Sequence, residues 1–424
     1  MKRKFFYGWY MVVAGMIMMA LNSSIVSYGW TAFIGPITQT FGWSMADISW
    51  ASAMRSLEIG VFNPMWGPVV DRGNPKKLMA LGVSLSAAGL FCLSQTQNLL
   101  MYYAGFLVLG IGSSLAIGML PQTIMSRWFR KDMGKANGLF FVGAGLGGVA
   151  VPLVVWLIDR LGWRNTLLYT SIVVLVIGIS FSFIFRSRPQ DYGMVPDGRE
   201  GDANDKRKQA NSDFGTTVRE ALKMRAFWHL VVTTIFQSSA MATVIMFAIP
   251  YLTGPGIGMD RATAGSVVSI YTFVSLFGRV IMGTLCDFFR KRWVLSAAIA
   301  VQTIGLILYW QMSETSPLWY VVLFAIPYGF GVSGVAPLRA PVTAEYFGTN
   351  NFASIFGLTS FFFGVGNMAA PPIAGWLYDT YKDYRTWWLI LIGMGIVALI
   401  AAVTMPAPQK KAEPAKTEAA VQTK

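Results

Sequence analysis

The sequence predicts an all-α membrane protein with twelve transmembrane helices, and three observations support that prediction. The 424 residues are 54% hydrophobic and only 13% charged, whereas soluble globular chains are typically about 25% charged. Apolar stretches of about 20 residues, long enough to cross a bilayer as helices, recur along the whole chain. One long polar stretch, DYGMVPDGREGDANDKRKQANSDF, separates six of these stretches from the other six.

The apolar stretches give the bounds of the predicted spans: 8 to 34, 45 to 70, 78 to 95, 101 to 126, 138 to 158, 164 to 185, 226 to 252, 263 to 286, 293 to 311, 318 to 344, 352 to 378 and 387 to 405. The polar stretch has the composition of a solvated linker. We therefore predict an N-terminal bundle over residues 1–185, a linker over 186–225, a C-terminal bundle over 226–406 and a tail over 407–424.

The basic residues predict the orientation. With the amino terminus inside, most Lys and Arg fall in cytoplasmic segments, and the opposite face holds only Arg160, Arg164, Arg261, Lys382 and Arg385. Cytoplasmic loops retain positive charge, so both termini are predicted to be cytoplasmic in the inner (plasma) membrane. The net charge of +14 then lies beside anionic lipid headgroups. No basic patch interleaved with aromatic residues indicates a nucleic-acid partner.

The sequence gives no indication of an enzyme or of a cofactor. It has no Gly-rich loop followed by Lys-Ser/Thr for nucleotide binding, no metal-binding cluster and no serine-histidine-acid set. Cys92 and Cys286 fall in different predicted helices and suggest no disulfide framework. His229, the only histidine, is predicted to be an interfacial residue at the end of the seventh span.

The two halves resemble each other at an offset close to 220 residues. VPLVVWLIDRLGWR from Val151 parallels PPIAGWLYDTYKDYR from Pro371, and RWF at Arg127 matches EYF at Glu345. GPVVDRGNPKK at the end of the second span matches GTLCDFFRKR at the end of the eighth, with Gly and Asp four residues apart in each. Such an internal repeat indicates two copies of one structural unit.

The stretch Gly67, Asp71, Arg72 resembles the cytoplasmic loop signature of the major facilitator superfamily, and the resemblance covers residues 5–405. The signature departs slightly, because Gly73 comes one position early. The resemblance implies two pseudo-symmetric six-helix bundles, related by an axis along the membrane normal, with the substrate site between them near the midplane. Asp71 and its repeat Asp287 thereby become candidates for coupling or gating.

Further segments resemble particular branches of the major facilitator superfamily. FYGWYMVV at Phe6 resembles the opening of the first helix in monocarboxylate transporters. YGWTAFIGPI from Tyr28 and the eleventh predicted span resemble the oxalate/formate antiporter branch. The resemblance implies a small carboxylate as substrate.

Arg279 is a charged residue inside the apolar eighth predicted span. It lies eight residues before Asp287, which places it about 12 Å inside the membrane boundary. Its helical neighbours Ser275, Leu276, Met282 and Gly283 cannot neutralise it. An unpaired Arg in a cavity suits a carboxylate, because its planar fork donates two parallel hydrogen bonds. The alternative is a structural Arg paired with an acid on another helix.

Monocarboxylate transporters are similar in carrying a substrate-binding Arg in the eighth helix. In several of them an Asp four residues earlier is taken to carry the coupling proton. Ser275 stands at that position here, so the resemblance does not supply a proton carrier.

Two further clusters are candidates for coupling or gating. Arg55 and Glu58 lie three apart on one helix face, either as an internal ion pair or with Glu58 taking up a proton. Arg339 lies between Pro337 and Pro341, which predict a discontinuous helix bordering a transport site. It is predicted to be an inner-gate cation, with a purely structural role as the alternative.

Four polar residues near the midplane complete the candidate site: Tyr28, Gln237, Tyr328 and Asn367. Each can donate a hydrogen bond to a carboxylate or hydroxyl. For each of them, helix packing is the alternative role.

Together these features predict a secondary carrier for small organic anions, a monocarboxylate such as lactate, pyruvate or formate, working by alternating access, with proton coupling left open. The first alternative is a dicarboxylate exchanger similar to the oxalate/formate antiporter, in which a lysine of the eleventh helix is thought to hold the second charge. Residues 352–378 contain no Lys or Arg, which favours a monoanion unless Arg339 or Arg55 supplies that charge. The second alternative is an anion sensor that does not transport.

Overall fold

The computed structural model describes residues 6–43, 47, 58–198, 216–254, 257–313 and 316–408, and these form a helical membrane protein. Helices are numbered below as spans, in chain order. In the first half they are Gly8–Asn22 continued by Ser23–Ser27 and Trp30–Phe41 (span 1), Glu58–Phe62 with Asn63–Arg72 (span 2), Pro75–Ser94 (span 3), Leu99–Ser113 continued by Ser114–Met119 and Leu120–Trp128 (span 4), Met133–Val149 with Val151–Leu161 (span 5), and Trp163–Ser182 (span 6).

The second half repeats this arrangement with longer, less interrupted helices. They are Arg225–Thr253 (span 7), Arg261–Phe288 (span 8), Lys291–Trp310 (span 9), Leu318–Phe347 (span 10), Phe352–Tyr381 (span 11) and Arg385–Thr404 (span 12). Within the described ranges, 10 helices are long and apolar enough to cross a membrane. There are 11 if Met133–Val149 and Val151–Leu161, bent by 42°, form one span. The predicted second span, 45 to 70, is described only from Glu58 onward.

The described part of the polar stretch between the halves carries only short helical turns. These are Pro189–Tyr192 and Pro196–Gly198 before residues 199–215, and Val218–Lys223 after them. Thr217 starts the last turn with a capping box, in which its hydroxyl accepts from the Glu220 N–H and the Glu220 side chain accepts from the Thr217 N–H. This segment then leads directly into span 7.

Span 10 differs from the sequence-based expectation. Pro337 and Pro341 were expected to break it, yet Leu318–Phe347 is one uninterrupted helix, so the prediction of a discontinuous helix is wrong. Helices in a membrane tolerate proline when neighbouring helices pack around the freed backbone groups. Span 10 is buried on almost every side from Tyr328 onward, which provides such packing.

The breaks in regular helix occur instead in the first half. Spans 1, 2 and 4 contain the π-helical segments Ser23–Ser27, Glu58–Phe62 and Ser114–Met119. The Ser113 hydroxyl donates a hydrogen bond to Asn22 Oδ1 at 3.2 Å, which links spans 4 and 1 at the edges of their π-helical segments. Such π-bulges occur frequently at functional sites.

The two halves touch through pairs of closely packed helices, and glycine permits the contact. A Cβ on Gly67 of span 2 would lie 2.6 Å from Ser354 Cα of span 11. A Cβ on Gly283 of span 8 would overlap the Gly134 carbonyl oxygen of span 5 and lie 3.1 Å from Gly138 Cα. Spans 2 and 11, and spans 5 and 8, therefore approach backbone to backbone, as small residues allow in membrane helices.

This packing predicts that Gly283→Ala lowers the melting temperature of the purified protein by several degrees. The added methyl group must push spans 5 and 8 apart, and overpacking of this kind costs about 1–3 kcal/mol. Thermal unfolding followed by tryptophan fluorescence measures the effect. Gly265→Ala is the matched control on the same helix, since no atom lies within 4 Å of its added Cβ. Equal melting temperatures for the two variants would contradict the close approach.

Candidate functional site

Asp71 joins the two halves at one end of the molecule, called here the Asp end because it also carries Asp287. Its carboxylate accepts hydrogen bonds from the N–H groups of Ala353 and Ser354, both at 3.0 Å, and from the Ser354 hydroxyl at 2.7 Å. These N–H groups belong to the first turn of span 11. They have no partner within their own helix and lie at the positive end of its dipole. Asp71 therefore caps a helix of the opposite half.

Asp287 makes the equivalent contact from the second half to the first. Its two carboxylate oxygens accept hydrogen bonds from the N–H groups of Gly134, at 2.6 Å, and Lys135, at 2.8 Å. Both donors lie in the first turn of span 5, Met133–Val149. Each half therefore offers one carboxylate to a helix start of the other. This pair of interactions is called the latch below.

Residues that the sequence did not mark as functional support the latch. Arg127 Nη2 donates hydrogen bonds to the main-chain oxygens of Asp71, at 3.0 Å, and Val70, at 3.4 Å, and lies 3.9 Å from the Asp71 carboxylate. In the second half, Lys291 lies 3.6 Å from Glu345. The only sequence signal was the repeat of RWF as EYF, which places Arg127 and Glu345 in equivalent positions. In this structure the latch holds the Asp end closed.

Arg279 lies on the inward face of span 8. Phe273, Phe277 and Ile281 are 61%, 53% and 43% exposed and recur every four residues, so they mark the outer face of the helix. Arg279 is two residues from both Phe277 and Ile281, about 200° around the helix axis at 3.6 residues per turn. Its half-buried side chain therefore points away from the outer face and towards the other half.

The Arg279 guanidinium contacts span 5. Its Nη1 donates a hydrogen bond of 2.8 Å to the carbonyl oxygen of Phe141. A Cβ on Gly145 would lie 3.4 Å from the same nitrogen. Among the described residues no carboxylate lies within ion-pair distance of Arg279. The structural alternative, an Arg paired with an acid, therefore has no support among the acids whose side chains the structure describes.

Tyr28 packs against the same part of span 5 as Arg279, and its contact with a substrate stays a prediction. Its ring is 3.6 Å from the Cβ position of Gly148, three residues and so less than one turn from Gly145 on the same face of span 5. Tyr28 directly follows the π-helical segment of span 1 and donates its main-chain N–H to the Ser23 carbonyl. The structure thus brings Tyr28 and Arg279 to neighbouring positions against span 5.

Gln237 and Tyr328 lie inside the second half instead. The Tyr328 hydroxyl donates to the Ala240 carbonyl at 3.2 Å, and Gln237 Nε2 donates to the Val332 carbonyl at 3.3 Å. Both side chains are 1% exposed, and both bonds join spans 7 and 10. Their arrangement here favours the packing alternative. Asn367 is half-buried on span 11, and its contact with a substrate stays a prediction.

Arg339 is more deeply buried than Arg279, with 8% of the residue exposed. Its Nη2 donates to the Ser360 hydroxyl at 2.9 Å. The rings of Phe356 and Phe363 lie 5.0 and 4.9 Å from its Cζ. The predicted cluster of Arg55 and Glu58 cannot be placed, because Arg55 lies outside the described residues and the Glu58 side chain is likewise not described.

Two helical halves that cap each other's helices at one end, with a half-buried arginine between them, are an arrangement typical of membrane transport proteins. The family model described as Major Facilitator Superfamily matches residues 12–256 and again 231–423. The chain belongs to that superfamily, and it is a transporter rather than an enzyme. The closed latch in this structure is thus one conformation of a carrier.

Relatives are similar over nearly the whole chain. Monocarboxylate transporter 12 of Mus musculus is 25% identical over 443 residues, covering 96% of this chain and 89% of the relative. The oxalate:formate antiporter of Oxalobacter formigenes is 24% identical over 396 residues, covering 93% and 89%. The solved structure of the proton:xylose symporter XylE bound to 6-bromo-6-deoxy-D-glucose matches with a TM-score of 0.75 at 14% identity, covering 94% of this chain and 96% of that one. The match to XylE shows the fold.

The latch predicts that Asp71→Asn and Asp287→Asn each favour opening of the Asp end. Asn keeps the size but removes the charge and one acceptor oxygen, which weakens the cap by about 1–2 kcal/mol. Spin labels on cysteines introduced at the exposed positions Lys77 and Arg290, with Cys92 and Cys286 replaced by Ala, report the distance between the halves. We expect the distance distribution to shift to longer values.

Asp159→Asn is the control for this measurement, because Asp159 is exposed in the last turn of span 5, at the opposite end of the span from the Gly134 and Lys135 N–H groups that Asp287 binds. It should leave the distribution unchanged. A distribution that is the same in all three variants and the parent would show that the two capping carboxylates do not hold the Asp end closed.

Proposed function

We propose that this transporter carries small organic anions, monocarboxylates of the size of lactate, pyruvate or formate, by alternating access, with Arg279 as the group that binds the carboxylate. The observation that carries the proposal is the state of that guanidinium. It is half-buried on the inward face of span 8, bonded to one carbonyl and without a carboxylate partner among the described residues. An ionisable group so placed is a functional-site candidate.

The chemistry of the site fits a carboxylate. A guanidinium has five N–H donors, and the Phe141 carbonyl occupies one terminal nitrogen. The remaining donors can bind both oxygens of a carboxylate in a bidentate pair. Binding then gives a charge in a low-dielectric region an ion-pair partner. Tyr28 of span 1, whose ring packs against Gly148 of span 5, is the proposed hydroxyl donor.

The relatives support the same class of substrate. One is named for monocarboxylates and another for the exchange of oxalate and formate, and these are small carboxylates in both cases. Residues 352–378 contain no Lys or Arg, which favours a monoanion over a dianion. The exchange of a dicarboxylate for a monocarboxylate is the second candidate.

The latch supports alternating access. With the Asp end closed, opening it requires that four main-chain N–H groups leave the carboxylates of Asp71 and Asp287. The distribution of Lys and Arg favours a cytoplasmic Asp end and cytoplasmic termini. Residues 1–185 and 226–406 would move as the two units, with 186–225 as the connection between them.

Position 275 of span 8 is a serine. Proton coupling therefore requires a carboxylate elsewhere in the chain. The Ser275 hydroxyl donates to the Thr272 carbonyl at 2.7 Å, so it serves its own helix. Glu58 and Arg55 are the proposed coupling residues. Uptake driven by an imposed pH gradient, compared between the parent and Glu58→Gln, tests that role: we expect the variant to keep exchange of the anion but lose its dependence on the gradient.

The proposal predicts that Arg279→Lys lowers kcat/KM for labelled lactate in proteoliposomes by at least about tenfold. Lys keeps the charge but loses the planar fork. One hydrogen bond to a charged group contributes about 1.5–3 kcal/mol, and 1.4 kcal/mol is tenfold. A panel of mono- and dicarboxylates measures the selectivity. Arg160→Lys, at an exposed position, is the matched control and should transport like the parent.

Unchanged transport by Arg279→Lys would remove Arg279 from the site.

Counterflow of labelled lactate against internal unlabelled lactate separates a carrier from an anion sensor, because a sensor binds the anion without exchanging it. Binding without counterflow in purified, reconstituted protein would contradict the proposed function as a whole.

A further inference from the structure

Arg339 is a second intramembrane cation, and among the side chains that the structure describes no carboxylate lies within ion-pair distance of it. Of its N–H donors, only Nη2 has a hydrogen-bond partner within the described residues, the Ser360 hydroxyl at 2.9 Å, and its buried Nε has none. The residue is 8% exposed. A buried charge is costly unless it is paired and hydrogen-bonded. A guanidinium serving only to join helices would be expected to use more of its donors.

Two aromatic rings stabilise the cation instead of an anion. Phe356 and Phe363 of span 11 lie one on each side of Ser360 in sequence, with their centroids 5.0 and 4.9 Å from Arg339 Cζ. A desolvated cation–π contact is worth about 2 kcal/mol. The Ser360 hydroxyl gives its own proton to the Phe356 carbonyl at 2.9 Å, so its lone pairs face the guanidinium. The site holds the charge weakly, and a carboxylate would hold it more strongly.

The residues that cover Arg339 also take part in the contact between the two halves. Phe356 is buried in a cluster with Met119 and Leu120 of span 4. A Cβ on the next residue, Gly357, would lie 2.8 Å from the Asn63 carbonyl oxygen of span 2. The same stretch of span 11 begins at the N–H groups that Asp71 caps. The contacts between the halves therefore cover the surroundings of Arg339 in this conformation.

Arg339 and Arg279 reach similar depths. Ser360, which accepts from Arg339, lies six residues along span 11 from Ser354 at the latch, about 9 Å at 1.5 Å per residue. Phe141, which accepts from Arg279, lies seven residues along span 5 from Gly134 at the latch, about 11 Å. The two guanidinium groups contact different neighbouring helices, span 5 for Arg279 and span 11 for Arg339.

We propose that Arg339 is a second carboxylate-binding site, closed in this conformation and reached only from the Asp end once the latch opens. In the closed state the phenylalanine pair and Ser360 hold the guanidinium. In the open state a carboxylate replaces the rings as its partner, which gives the anion a binding group on its way between Arg279 and the Asp end. The role of the anion rests on the proposed function, whereas the opening of the site does not.

Residue-resolved labelling tests this site without altering Arg339. Phenylglyoxal, which modifies accessible arginines, is applied to the reconstituted parent and to the Asp71→Asn/Asp287→Asn variant, and mass spectrometry measures modification at each arginine. We expect Arg339 to react at least tenfold faster in the variant. Lactate should suppress that reaction, and lactamide, its uncharged analogue, should not. Exposed Arg160 is the internal control, with equal reaction in both proteins.

The outcomes separate the two proposals. Protection of Arg279 by lactate without protection of Arg339 overturns the second site and leaves the proposed function intact. Lack of protection at Arg279 counts against the proposed function. An Arg339 that is equally unreactive in both proteins, or that reacts in the variant regardless of lactate, contradicts the second site.

A transport measurement gives an independent readout. In Arg339→Gln, we expect the KM for lactate entering from the Asp end to rise at least tenfold and the KM from the other end to stay within twofold, compared between inside-out vesicles and intact cells. Arg339→Lys should restore part of the loss, because it restores a cation. An equal change from both ends, together with a lower melting temperature, would indicate a merely structural residue.

Discussion

The structure depends on the cost of keeping a permanent positive charge away from water. A guanidinium cannot lose its charge by deprotonation in a protein, so burial of Arg279 and Arg339 must be offset by hydrogen bonds, by aromatic rings or by an anion. The described residues supply the first two and no carboxylate. A bound carboxylate would supply an anion beside each arginine. The need for that anion links the positions of Arg279 and Arg339 to the proposed class of solute.

The carboxylates of the latch and the two guanidinium groups have different partners. Asp71 and Asp287 are anions whose partners are the unpaired N–H groups at the starts of spans 11 and 5, and each partner lies in the other half. These hydrogen bonds are therefore made only while the two halves meet at the Asp end. Span 5 carries both the N–H groups that bind Asp287 and the carbonyl that binds Arg279. Any movement of spans 5 and 8 past each other therefore changes both the latch and the contact of Arg279 with Phe141.

The sequence predicted the parts of this arrangement that depend on local pattern. Hydropathy gave the helices, the repeat indicated the relation between the halves, and the absence of acids three and four residues from Arg279 predicted an unpaired cation.

Tertiary contacts account for what could not be predicted. Asp71 and Ala353 are 282 residues apart, and no local pattern shows that one caps the other. The π-helical segments have no simple sequence signal. Pro337 and Pro341 suggested a broken helix, but the packing around span 10 outweighs their local preference. Tyr328 was a candidate donor to substrate until the fold placed Ala240 within reach of its hydroxyl.

The most direct test of the central claim is the distance between a bound carboxylate and the Arg279 guanidinium. Solid-state NMR on the reconstituted protein, with 15N-labelled arginine and lactate labelled with 13C at its carboxyl carbon, measures this distance by dipolar dephasing. A bidentate pair predicts a carbon–nitrogen separation of about 4 Å, with the Arg279 contribution absent in Arg279→Lys. Saturating lactate with no arginine nitrogen near its carboxyl carbon, or with the same dephasing in Arg279→Lys as in the parent, would contradict the account.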